Sequence, residues 1–517
     1  MKKVRILMFS LLLVLGLTAC GAAQDSIPPV QPQADAVAVH LSDDGISVDG
    51  APISADTSAA VYAAHDIIYY EAGRDFTYGE GGEADGHSAD AAAAHTVVHI
   101  TEAGTYRLSG SLSRGQIAVD LGEGAQEDPA AVVTLLLDGV DIKCEVAPAV
   151  IFYRVYECGS KETDGATKDV DTAAAGANVV IADGSVNHVA GAYVARIYKP
   201  GSVVLNSTGT AVEDAKKLHK YDGALYSCMS LNVDGGEEGS GVLNIRAENE
   251  GLDSELHLTV NGGTINIQSG NDGINTNEDG VSVTTVNGGM LQITVTGETG
   301  EGDGIDSNGW LVINGGTVIA SSCARSGDAG IDSDMGIHIN GGTVIAGGHM
   351  LDRIEDGGQS YAVFSFAQEH KGGETLSLKD SNGEVKASFC LPNDCSIVVY
   401  SSADWKEGVY TLWSGETQMA GQSGGMAGGP GMMKPTGMIP DGAENRQPPS
   451  GEQPPMGGMQ MPDGIFPGDR QPPEKPEGDG RPGAFAPGGA MGGTGELSAQ
   501  FRLEKGGHQF FNISPLK

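Results

Sequence analysis

Asn-Gly-Gly recurs at Asn261, Asn287, Asn314 and Asn340, in steps of 26, 27 and 26 residues. Between these turns a second signature repeats: Gly251-Leu252-Asp253-Ser254, Gly273-Ile274-Asn275-Thr276, Gly304-Ile305-Asp306-Ser307 and Gly330-Ile331-Asp332-Ser333. A fixed period of this length marks a solenoid, whose units bury their apolar faces only against their neighbours. Within the first unit Leu256, Leu258 and Val260 alternate with other residues, Ile265 and Ile267 alternate beyond the turn, and Ile274 follows. This period-2 pattern gives three short strands per unit. Parallel crossovers are right-handed, so the predicted fold class is all-β, a right-handed parallel β-helix. Val281 and Val283 fall out of phase in the unit around Asn287, which predicts a β-bulge there.

If Ile274, Ile305 and Ile331 face inward, the next residue faces outward. One outward column is then Asp253, Asn275, Asp306 and Asp332, and a second is Glu255, Asn277, Asn308 and Asp334. Acids at Glu250, Asp272, Asp303 and Asp328 flank them in the preceding turn. Stacked units lie about 4.8 Å apart, where like charges repel by about 1 kcal/mol in water and about 3–4 kcal/mol at an effective dielectric near 20. Between residues 247 and 350 there is no Lys, and Arg325 is the sole Arg. A hard, oxygen-coordinated cation is the natural compensation, and calcium accepts irregular cages of carboxylate, amide and backbone oxygens. The expected metal ligands are Asp253, Asp272, Asn275, Asp303, Asp306, Asp328, Asp332 and Asp334. The competing explanation for any one of them is turn formation, which Asp and Asn favour for backbone reasons.

Residues 1–20 read as a lipoprotein signal peptide: a basic start, an apolar run over residues 6–17, and Leu17-Thr18-Ala19-Cys20-Gly21, which resembles a bacterial lipobox. Cys20 is the expected lipidation site, so the chain is expected to be exported and tethered at the outer face of the cell membrane by its N-terminus. Six further cysteines lie at 144, 158, 228, 323, 390 and 395. Outside the cytoplasm they permit disulfides, with Cys390–Cys395 and Cys144–Cys158 as conceivable pairs. With 68 acids against 30 Lys plus Arg, the net charge of −38 argues against nucleic acid or an anionic bilayer surface as a partner.

The expected organisation is a linker over 21–40, the β-helix with an N-terminal cap and insertions over 41–370, and a small C-terminal β module over 371–417 and 496–517. Residues 418–495, rich in Gly, Pro and Met, cannot bury enough surface to order themselves and are expected to form a disordered insertion. A monomer is expected. Trp310 falls in an outward column with His257 and Val283, where an indole could stack on a sugar ring or cover a neighbouring insertion.

The segments ITEAGTYRLSGSLSRGQIAVDL, VTLLLDGVDI, VVIADGSVN, DGALYS and the repeated NGGT and DGID units resemble bacterial calcium-binding β-helix proteins of the carbohydrate-binding domain family. Those of the clostridial type bind polygalacturonate or cellulose. The resemblance implies a fold similar to that of pectate-type polysaccharide lyases and binding of acidic plant-wall polysaccharide. It carries the acidic ladder onto Asp253, Asp272, Asn275, Asp303, Asp306, Asp332 and Asp334, while Ala329 stands where other units have Glu250, Asp272 and Asp303. Two alternatives compete with a non-catalytic binder. A calcium-dependent lyase needs a basic residue beside the ion, for which Arg325, Lys216, Lys217 and Lys220 are candidates and are expected to be surface charges. The other alternative is a structural surface protein or adhesin.

Overall fold

The computed structural model describes residues 36–218, 220–424 and 496–516. The signal segment, Cys20 and most of the Gly/Pro/Met-rich run lie outside the described residues. The chain is all-β, with one short α-helix, Ala89–Ala93, among the described residues. No helix there is long and apolar enough to cross a membrane.

The repeats supply strands to three ladders, all parallel within the repeats, and the last repeat adds a strand to only two of them. In the first, Gly223–Ser227, Glu250–Ser254, Ile274–Thr276 and Ile305–Ser307 pair in that order. In the second, Leu231–Asp234, His257–Val260, Val283–Val286, Trp310–Ile313 and Gly336–Ile339 do the same. The third runs through Val242–Ala247, Thr264–Ser269, Met290–Val295, Thr317–Ser321 and Thr343–Gly348. The less regular strands upstream, from Thr96–Ile100 to Val186–Gly191, extend the same ladders.

Register stacks like on like. Leu258, Thr284, Leu311 and Ile337 form one inward column, and Ile265, Leu291, Val318 and Val344 another, all buried. Each fully buried aliphatic side chain contributes about 1.5–3 kcal/mol, and the column adds one such layer per repeat. At the turns the second glycine of each Asn-Gly-Gly has φ between +74° and +84°, a conformation that costs glycine nothing. The asparagines stack into an exposed ladder: Asn287, Asn314 and Asn340 each donate from Nδ2 to the Oδ1 of the preceding one at 2.9, 2.9 and 2.8 Å.

The predicted bulge near Asn287 is absent: Val283–Val286 pairs with both neighbours without a register shift. The inward position that should hold an aliphatic residue holds Thr284, fully buried, its hydroxyl 3.1 Å from that of Thr276. A satisfied hydroxyl can stand in for a methyl group in the core, and the apolar pattern then looks displaced. The cysteine pairs are likewise corrected, since Cys144, Cys158, Cys228, Cys323, Cys390 and Cys395 are all free thiols.

A mixed set of strands closes the last repeat, antiparallel except where Tyr361–His370 meets Gly507–Pro515. Cys395–Ser402 pairs with both Thr343–Gly348 and Tyr361–His370, and the latter also pairs with Gly507–Pro515. These strands enclose a second core around Phe364, Leu412, Phe501 and Phe510. The outward column Asn244, Asn266, Gln292, Ile319, Ile345 changes from amide to isoleucine where this core meets it.

Two substitutions separate the turn's backbone from its amide ladder. A Cβ on Gly316, where φ is +74°, would lie 2.7 Å from the backbone of Gly288 and Gly289. Gly316→Ala is expected to cost about 2–4 kcal/mol. Asn314→Ala, which removes two exposed amide bonds, should cost about 1 kcal/mol, and urea denaturation checks that order.

Candidate functional site

Asp253, Asn275 and Asp306 are register partners on adjacent strands of the first ladder. They point away from the apolar column, since Ser254, Thr276 and Ser307 beside them face the core and are fully buried. The expected open acidic face is nevertheless covered at its start: Asp253 is 0% and Asn275 8% exposed, while Asp306 and Asp332 are half-buried. Asp253 lies between its register partners Tyr226 and Asn275, with Gly223 packed against its Cβ. The buried Tyr226 strand thus puts acids of the ladder into a low-dielectric site, where like charges repel far more strongly than in water.

The acids collect into two groups, each with carboxylate oxygens within 4.8 Å of one another: Asp222, Glu250 and Asp253, and Asp303, Asp306 and Asp332. In the first, Lys220 Nζ lies 2.9 Å from Asp222 Oδ2, Asn275 Nδ2 donates to Glu250 Oε1 at 3.2 Å, and Asn277 Nδ2 donates to Asp253 Oδ1 at 2.7 Å. The other oxygens, Asp222 Oδ1, Glu250 Oε2 and Asp253 Oδ2, are buried with no donor in reach, as is Asn275 Oδ1. Burial and mutual repulsion push the Glu250 and Asp253 carboxyls well above the usual carboxylate range; burial raises Asp222 too, against the opposing pull of Lys220. Such oxygens must take up protons or share a cation.

The second group is more open. Burial, and then the charges of Asp272, Asp332, Asp306 and Asp328, raise the Asp303 carboxyl well above its ordinary range. Asp272 and Asp328 also serve the backbone, accepting the N–H of Asp303 and of Gly302, each at 2.6 Å. Asp334 is exposed and stands outside both groups. Asp352 adjoins the second group, accepting the Ser333 N–H at 3.1 Å.

Of the expected ligands, the structure therefore brings Asp253 into one group, beside Asn275, and Asp303, Asp306 and Asp332 into the other. Asp222 as a group member escaped the sequence pattern because one extra residue separates it from Ser227, relative to Glu250 and Ser254. Lys217 is a surface charge paired with Glu80, as expected; Lys220 is likewise partly exposed, but its ammonium faces the buried acids. The column His257, Val283, Trp310 is confirmed by register. Residues 156–172 lie across its early part, with Thr172 Oγ1 2.7 Å from Thr259 Oγ1 and Gly159 packed against the His257 ring. Trp310, farther along, is half-buried.

The family model described as carbohydrate-binding domain-containing protein matches residues 94–387, more than half of the chain. The chain belongs to that family. The matched span contains both acidic groups and all three ladders of the repeats. No curated protein matches the chain. Among solved structures, the gadolinium derivative of the polysaccharide lyase-like protein from C. thermocellum is similar over 60% of this chain and 90% of that one, at 17% identity and a TM-score of 0.33. A likeness that remote carries no argument about the site.

The raised carboxyls make a signed prediction for the cation-free protein. A carboxyl whose folded pKa is raised stabilises fully below its unfolded pKa, and that stability is lost as pH rises through the folded value. Asp253→Asn, which removes the charge and adds donors beside Glu250, should therefore stabilise the protein in chelator at about pH 7 by about 1–3 kcal/mol. The gain should shrink toward pH 5. Comparing variant with wild type at each pH cancels the histidines, whose titration both share.

Proposed function

We propose that the chain is an exported, lipid-anchored and non-catalytic carbohydrate-binding protein that holds calcium in its acidic groups and binds acidic plant-wall polysaccharide such as polygalacturonate. Family membership supports carbohydrate binding. The observation that carries the calcium reading is the set of buried, donorless carboxylate oxygens converging from Asp222, Glu250 and Asp253. Three parallel ladders fed by successive repeats support a parallel β-helix, right-handed by the general rule for parallel crossovers. The lipobox-like sequence ending at Cys20 supports export and anchoring.

The donors fit the ion. Carboxylate and amide oxygens without Cys or His suit calcium rather than zinc or softer metals. Asp222, Glu250, Asp253 and the Asn275 amide would hold one ion in a closed site, and Asp303, Asp306 and Asp332 another in a half-open one. Bound there, calcium supplies positive charge that a sugar carboxylate can share, which lets a protein of net charge −38 meet a polyanion. The half-open group is the one a polysaccharide can reach, and Trp310 offers an apolar surface for a sugar ring.

One observation favours a lyase as the second reading: Lys220 stands beside an acidic group, where a base for β-elimination would be placed. Against it, the group beside Lys220 is the closed one. Asp306 of the open group lies two strands farther along the ladder, about 10 Å away. Burial lowers the Lys220 pKa, but Asp222, Glu250 and Asp253 more than offset that and leave it raised, favouring the protonated form.

Polygalacturonate beads should retain the protein with calcium and release it in chelator, with Asp306→Asn weakening retention by about tenfold or more. Unsaturated-uronate absorbance should stay at baseline throughout. Product that forms with calcium and vanishes in Lys220→Ala would establish the lyase. Equal retention of Asp306→Asn and wild type would remove the second group from sugar binding.

A further inference from the structure

Lys220 is the cation in contact with the first acidic group, and its position fits a role beyond a surface ion pair. Each of the three carboxylates has one oxygen engaged from outside the group: Asp222 by Lys220, Glu250 by Asn275 and Asp253 by Asn277. Each turns its other oxygen into a shared buried space without a donor. Asn275 Oδ1, an amide oxygen outside the acidic trio and buried beside it, is donorless as well. Arg196, whose field also reaches Asp222, is engaged by Glu80 at 3.4 Å. Three carboxylates and one ammonium leave two negative charges; Glu255, whose field reaches both Asp222 and Asp253, adds to this excess, which a divalent ion would offset.

We propose that Lys220 is the resident counter-charge of the Asp222–Glu250–Asp253 group, sustaining the fold when no divalent ion is bound and lowering that group's affinity for one. The inference rests on the reading of this group as a cation site. The ammonium is attached to Asp222 Oδ2 and leaves Oδ1 turned inward, so ion and lysine act on one charge cluster from opposite sides. Like-signed cations so close repel, which weakens the ion's binding. With 43% of its side chain exposed, Lys220 can adjust into solvent without opening the core. The second group draws on a stretch that lacks lysine altogether, so Lys220 should affect the two groups unequally.

The test is calorimetric titration of calcium alone into the full chain carrying Asp306→Asn and Asp332→Asn, with and without Lys220→Met, alongside the wild type. Removing the ammonium should tighten calcium binding at the remaining group by about tenfold or more. It should lower the melting temperature in chelator and enlarge the calcium-induced rise, because a tighter ligand stabilises more. Lys220→Gln, which keeps a donor to Asp222 without the charge, should tighten binding likewise, and it decides the matter if the Met variant does not fold. Lys220→Arg should bind calcium as the parent does. Unchanged affinity in the uncharged variants, with equal losses of stability with and without calcium, would reduce Lys220 to packing and overturn the inference alone. Absence of calcium binding in the Asp306→Asn/Asp332→Asn protein would overturn it together with the first group as a cation site. Absence in the wild type would remove the calcium reading as a whole.

Discussion

In a stack of parallel strands about 4.8 Å apart, a residue type that recurs once per repeat meets its own kind in the next layer. Everything else in this molecule depends on how each recurring type tolerates that. Aliphatic residues gain from it, and columns such as Val260, Val286, Ile313 and Ile339 form the core. Asparagines gain as well, because an amide both donates and accepts, and the ladder from Asn261 to Asn340 runs along the turns. Aspartates lose: a carboxylate above a carboxylate has no proton to share at neutral pH and no way to turn repulsion into a bond.

The acidic column escapes that penalty in three ways. Asn275 interrupts it between Asp253 and Asp306 and donates to Glu250. Backbone N–H groups of the next layer engage Asp272 and Asp303. The remaining charge gathers in two compact groups, one buried and touched by Lys220, one half-open. A merely turn-forming role accounts for Asp272 and Asp328, but it leaves donorless oxygens inside the first group unexplained. Unsatisfied buried carboxylates are costly enough to be worth a dedicated partner.

The repeating ladders could be read from the sequence because their signal is local: alternation gives the strand faces, and Asn-Gly-Gly marks the turn that needs positive φ at its second glycine. What could not be read is where local pattern and tertiary surroundings part. Thr284 looked like a phase slip, yet it is an inward residue whose hydroxyl finds Thr276. Asp253 looked solvent-facing, yet it is fully buried beside Tyr226 and Gly223 of the preceding strand. Asp222 was hidden by the extra residue before Ser227, and Lys220, a candidate base in an irregular segment, gave no local sign that it faces the acids. The outer column at His257 is likewise covered by an insertion about a hundred residues earlier in the chain. Face and period are sequence-local, whereas cover is decided by segments with no period of their own.

The most direct measurement is the calcium content of the full chain after equilibration at fixed free calcium, in wild type and in Glu250→Gln/Asp253→Asn. Compensation of the buried charge predicts two ions per wild-type chain, one for each acidic group, and the loss of one in the double variant. A wild-type chain that binds no calcium at millimolar free ion would contradict it, and the acids would then be held by protons, Lys220, neighbouring amides and backbone.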